Sequence, residues 1–120
     1  SADLATQATL AATIKYDHLL GDFMATVLRQ HWKAFIPKLS TKDWADYLKA
    51  CAQIDPVIDQ WSDATKAKVR QVVFRVLAEA GYIDSTRSLT LTPVSIIPEI
   101  RQYLTSHTDD YVLRCMDITQ

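Results

Sequence analysis

Glycine and proline are scarce in this chain. Two glycines and four prolines in 120 residues are about half the usual share, which excludes collagen-like and loop-dominated architectures and points to a mainly helical protein. Two glycines also leave no material for a Gly-rich phosphate loop, so a nucleotide-driven enzyme has no motif behind it. Cysteine is nearly absent too. Cys51 and Cys115 lie far apart with no CxxC pair, which excludes disulfide scaffolds and zinc ribbons and reads as two reduced thiols. No apolar run approaches the ~18 residues of a membrane span, and the start lacks the basic-then-apolar pattern of a signal peptide. The chain therefore reads as cytoplasmic. Neither sign of charge is in excess: 13 basic against 14 acidic residues give a formal net charge of -1, which on its own discourages a nucleic-acid reading.

What is present fits one domain spanning residues 1–120. A chain of this length buries roughly two-thirds of the surface its unfolded form exposes, and 48% hydrophobic with 22% charged residues are ordinary globular values. It opens at Ser1 rather than methionine, which suggests a processed product or a piece of a longer protein. Charge is unevenly spread. Arg29, Lys33, Lys38 and Lys42 fall in a stretch without an acid, as do Lys66, Lys68, Arg70 and Arg75 between Ala64 and Ala78. Such stretches are either a polyanion footprint or the wet faces of two helices.

Helix signals dominate. Leu4 to Ile14 is rich in Ala and Leu, and Leu20, Phe23, Met24, Val27, Leu28 and His31 recur at helical spacing in a segment that stops before Pro37. Ser40 with Asp43 reads as a capping box for a helix over Thr41 to Ala52, with Trp44, Tyr47, Leu48 and Cys51 on one face. Ser62 caps a longer helix from Asp63 to Ala80. There Trp61 acts as staple, Val69, Val72, Val73, Val76, Leu77 and Ala80 form the stripe, and Gly81 is the C-cap. The period then changes. Tyr82-Ile83 and Leu89-Thr90-Leu91 alternate around the polar turn Asp84 to Ser88, which predicts a short β-hairpin at 82–91. Pro98 suits the first turn of another helix with Ile100, Tyr103 and Leu104 inward, and Thr108 caps a last one carrying Tyr111, Val112 and Cys115. The expectation is an all-α domain in a helix-turn-helix or winged-helix-like arrangement, with a helical bundle carrying an incidental hairpin as the alternative.

Three runs carry a family resemblance: Leu19 to Trp32, Leu39 to Leu48, and above all Trp61 to Ile83, where Ser62, Thr65, Lys68, Val69, Leu77, Ala80 and Gly81 form its most specific pattern. Together they resemble BrxA, a bacterial family of the BREX phage-defence systems. The resemblance spans nearly the whole chain. It implies the C-terminal portion of a longer helical cytoplasmic protein with no catalytic activity, associating with double-stranded DNA beside other BREX components. The family's older description as an inner-membrane protein does not fit a chain with no possible span.

Candidate contacts follow from helix geometry. Lys68, Gln71 and Arg75 fall at i, i+3 and i+7 on the side away from the valine stripe, a ridge able to bind phosphates and reach base edges. Lys66 and Arg70 lie nearer the apolar boundary, Arg87 stands at the hairpin turn, and Lys38 and Lys42 flank a helix N-terminus whose amides attract phosphate. Each is also what a solvated surface carries. Phe74 falls with Ala67 and Ala78 outside the stripe, either as a partner interface or packed under another element. Binding of double-stranded DNA by electrostatic contact is the leading function, and a protein-interaction adaptor within the same defence complex is the alternative. Catalysis has little behind it. His18 and Asp22 supply two metal ligands without a third, His31 sits in an apolar stripe as a core histidine, and Asp109-Asp110 suit a helix dipole. No cofactor, metal or small-molecule substrate is expected.

Overall fold

Asp17 decides where the first helix ends. In the computed structural model, which describes residues 2–119, α1 runs over Ala2–Tyr16. Asp17 then leaves helical geometry and its carboxylate accepts the Leu20 amide at 3.1 Å. This N-cap starts α2, a continuous rod of three parts: an α-helical His18–Phe23, a wider π-helical Met24–Leu28 and an α-helical Arg29–Lys33. A π turn holds an extra residue and resets the faces of the helix beyond it. Leu20, Phe23, Met24, Leu28 and His31 all end up buried.

Short-range capping rules appear as structure. Ser40 and Asp43 form the reciprocal capping box of α3 (Thr41–Ala52). Asp55 caps the single turn α4 (Pro56–Asp59). Ser62 accepts the Thr65 amide at 3.1 Å to open α5 (Asp63–Glu79). Gly81, at φ +87°, closes α5 with Tyr82 donating to the Leu77 carbonyl at 2.9 Å, the left-handed stop that glycine adopts without steric cost. Pro98 begins α6 (Pro98–Ser106) and α7 spans Asp110–Met116. Thr108 differs from its expected role as the α7 cap. It is left-handed at φ 54° and terminates α6, and Asp109 precedes α7.

The expected β-hairpin at 82–91 is absent, and with it the winged arrangement. No β-strand forms among the described residues, which hold seven helices. The segment makes only isolated antiparallel bridges, Ile83 with Leu91 and Lys38 with Thr90. The reason is local competition. The Asp84 carboxylate gathers the Ser85 amide at 2.7 Å, the Thr90 amide at 3.1 Å and the Ser88 hydroxyl, and Leu89 turns left-handed at φ 58°. A chain folded around its own carboxylate cannot extend into a ladder.

The core lies where α2, α3 and α5 converge and continues to α1 and α7. Phe23 meets Trp44 and Tyr47 with ring centroids 5.1 Å apart in each case, both edge-on. Gln7 is buried in α1, yet satisfied: its amide donates to the Ser95 carbonyl and accepts from the Ile97 amide, each at 2.9 Å. It thereby fastens the segment leading into α6.

Candidate nucleic-acid interface

The ridge on α5 keeps the spacing read from the sequence. Lys68, Gln71 and Arg75 are exposed on one side of the helix, and among the described residues neither Lys68 nor Arg75 forms an ion pair. Lys66 and Arg70 are half-buried on the adjoining side. They line a groove of about 510 Å³ between α3 and α5 together with Lys49, Asp59 and Asp63. Two carboxylates beside three cations leave that groove less positive than the ridge.

The inward face of α5 is rotated from the expected one. Val72 is 37% exposed, whereas Phe74 is only 5% exposed. Phe74 therefore cannot be the partner interface considered from the sequence. Its ring lies 6.2 Å from Phe23 and 6.3 Å from Trp44 between centroids. An aromatic ring buries more apolar area than valine and gains edge contacts, so the cluster on α2 and α3 draws Phe74 inward at the expense of Val72. Tyr103, expected inward on α6, is likewise 56% exposed and stacks on His107 at 4.0 Å.

The first basic stretch is divided among different tasks. Arg29 donates from its guanidinium to the carbonyls of Arg114 and Asp117, placing a cation at the C-terminal end of α7, where the helix dipole favours it. Lys42 holds Asp46 at 2.7 Å, and that hydrogen bond raises its pKa above the ordinary lysine value. Its charge is locally matched. Lys38 is exposed, and its backbone bridge to Thr90 brings it to the loop that carries the exposed Arg87. Lys33 is exposed as well and was not singled out by spacing.

The residues weighed for catalysis are occupied structurally. His31 is 7% exposed, with Nδ1 2.9 Å from the Val27 carbonyl and Nε2 3.0 Å from Asp43. Asp22 accepts from the Tyr111 hydroxyl at 2.7 Å, and the His18 ring lies 4.7 Å from that of Tyr111. Asp109 faces Lys15 at 3.8 Å. Burial pushes the thiols of Cys51 and Cys115 up, away from the thiolate form a nucleophile needs. Among the described residues no group of three or more His, Cys, Asp or Glu side chains is placed to hold a metal ion, and no helix is long and apolar enough to cross a membrane.

Fold and surface together define a small helical protein whose longest capped helix presents an unpaired basic ridge. The family model for BrxA matches residues 1–108, and the chain belongs to the BrxA family. It is 39% identical over 119 residues to the BREX protein BrxA of Paramagnetospirillum magneticum, covering 99% of this chain and 60% of that protein. It is 30% identical over 98 residues to the BREX protein BrxA of Escherichia coli, covering 82% of this chain and 46% of that protein. The chain thus spans about half to three-fifths of the length of these relatives. A crystal structure of an uncharacterized protein from Magnetospirillum magneticum superimposes with a TM-score of 0.93 at 39% identity, over 98% of this chain and 62% of the other.

Proposed function

We propose that this BrxA-family chain is a cytoplasmic component of a BREX phage-defence system that associates with double-stranded DNA and acts by binding, without catalysis. The observation that carries the reading is the α5 ridge: Lys68, Gln71 and Arg75 share one exposed side with no internal ion pair to neutralise the cations. Lys38 and Arg87, exposed on the loops joined by the bridge between Lys38 and Thr90, offer further phosphate contacts. With a single amide and few long side chains near base edges, affinity is mostly electrostatic and weakly dependent on sequence.

Fluorescence anisotropy of this chain on a labelled random duplex tests the reading. Binding should fade steeply as salt rises, and the double variant Lys68→Glu, Arg75→Glu should weaken it for every sequence. Unchanged affinity in that variant removes the ridge from the interface. The adaptor alternative no longer has Phe74 as its contact. It is favoured instead by an apolar groove of about 480 Å³ between α1 and α6–α7, lined by Leu4, Ala8, Ile100, Tyr103 and Val112, and it predicts partner capture that is insensitive to salt.

A further inference from the structure

The loop after α2 combines two unfavourable features in one residue. Phe35 has φ 58°, in the left-handed region, and its side chain is 92% exposed. The backbone reason is clear: Ile36 donates to the His31 carbonyl at 2.9 Å and Phe35 to the Trp32 carbonyl at 3.3 Å, the helix-ending motif whose left-handed position glycine normally fills. A phenylalanine there strains the backbone and leaves a large apolar ring in water. Its near-complete exposure means that contacts within the chain offset neither cost.

The surroundings point to the chemistry of what it meets. Ile36, the next residue, is 45% exposed, and the tip is flanked by the exposed Lys33 and Lys38, neither of which forms an ion pair among the described residues. The nearby carboxylates are engaged elsewhere, Asp43 by His31 and the Ser40 amide and Asp84 by the amides and hydroxyl of its own turn. The loop is also pinned at its far end, where Leu91 donates to the Pro37 carbonyl at 2.8 Å and Leu39 to the Leu89 carbonyl at 3.0 Å. A rigid apolar tip between two free lysines matches a polyanion that can open an apolar slot. A base step in DNA does so when a side chain wedges into it while cations hold the adjoining phosphates.

We propose that Phe35 is a wedge that enters a base step of double-stranded DNA, with Lys33 and Lys38 on the flanking phosphates. This inference rests on the DNA reading above and adds to it a site separate from the α5 ridge. A wedge favours DNA whose stacking is already interrupted, because part of the unstacking cost is removed in advance.

The test compares the chain, its Phe35→Gly variant and its Phe35→Trp variant on a plain duplex and on the same duplex with one unpaired nucleotide. The parent chain should prefer the bulged duplex by roughly tenfold. Phe35→Trp should keep that preference, and Phe35→Gly should bind both duplexes equally without a fall in melting temperature, since glycine suits the left-handed position. An equal preference in the parent and Phe35→Gly overturns the wedge. The DNA reading then stands or falls separately, on Lys68→Glu, Arg75→Glu. No binding of the parent to any duplex at low salt removes both. Binding to phosphatidylglycerol vesicles that Phe35→Gly abolishes, with DNA affinity untouched, overturns the wedge and makes the tip a lipid contact.

Discussion

Gly21 lies where α2 packs against Ile14 and Tyr111, and its conformation is ordinary helix. A Cβ there would stand 2.5 Å from the Tyr111 hydroxyl oxygen and 3.0 Å from Cγ2 of Ile14. Helix propensity favours alanine over glycine by about 1 kcal/mol, yet Tyr111 could retreat only by giving up its hydrogen bond to Asp22. Overpacking of this kind costs about 1–3 kcal/mol. Gly21→Ala should therefore lower stability by up to about 2 kcal/mol, the overpacking cost less the propensity gain, measured by urea unfolding, and Gly21→Ala with Tyr111→Phe should recover part of it. A stabilised Gly21→Ala would mean that Tyr111 moves freely. Nothing in the sequence marks this contact, because Gly21 and Tyr111 are brought together only by the packing of α7 on α2.

At the scale of elements, legibility divides by range. Ser40 with Asp43, Ser62, Gly81 and Pro98 act on neighbours within a turn, so their residue types announce helix ends before any tertiary contact exists. Phe74 is different. Its direction is set by Phe23 and Trp44 on other helices, and the continuous valines around it supply an equally good local stripe. The 82–91 segment misleads for a related reason: its alternation of apolar and polar residues satisfies a strand pattern, while Asp84 supplies a local competitor for the same amides. That competitor is titratable. The Ser88 hydroxyl first, then the backbone amides of Ser85 and Thr90, hold the Asp84 carboxyl below its usual range. A carboxyl depressed in the folded state contributes stability above its unfolded pKa, and that contribution is lost as pH falls through the folded value. The Thr90 amide resonance should accordingly shift cooperatively below about pH 4, with α5 still intact. Asp84→Asn should abolish the transition, and an unaltered profile in that variant would assign it to another acid.

The whole molecule sorts its basic residues in a way that a count of charges conceals. Both acid-free stretches look alike in sequence, yet Arg29 reaches carbonyls 85 or more residues away, Lys42 is matched by Asp46, and Lys66 with Arg70 shares a groove with two carboxylates. The Arg29 contacts and the groove depend on how distant helices meet, whereas Lys42 and Asp46 pair within α3 at i, i+4. Spacing and turn position indicate the ridge, Lys38 and Arg87, and not which cations the fold engages. Among the described residues the exposed cations without an ion pair are Lys33, Lys38, Lys49, Lys68, Arg75, Arg87 and Arg114. Lys49 shares the groove with the two carboxylates and Arg114 lies over the Tyr111 ring, so on the DNA reading the other five are the ones that would release counterions. Each phosphate contact removed should reduce the slope of log affinity against log salt by about one. Lys38→Gln and Arg87→Gln should each do so, whereas the double variant Lys42→Gln, Asp46→Asn removes a neutral pair and should leave both slope and affinity unchanged. A slope that falls equally in the double variant would mean that Lys42 leaves Asp46 to hold a phosphate, and that the ion pair is a resting contact broken on binding.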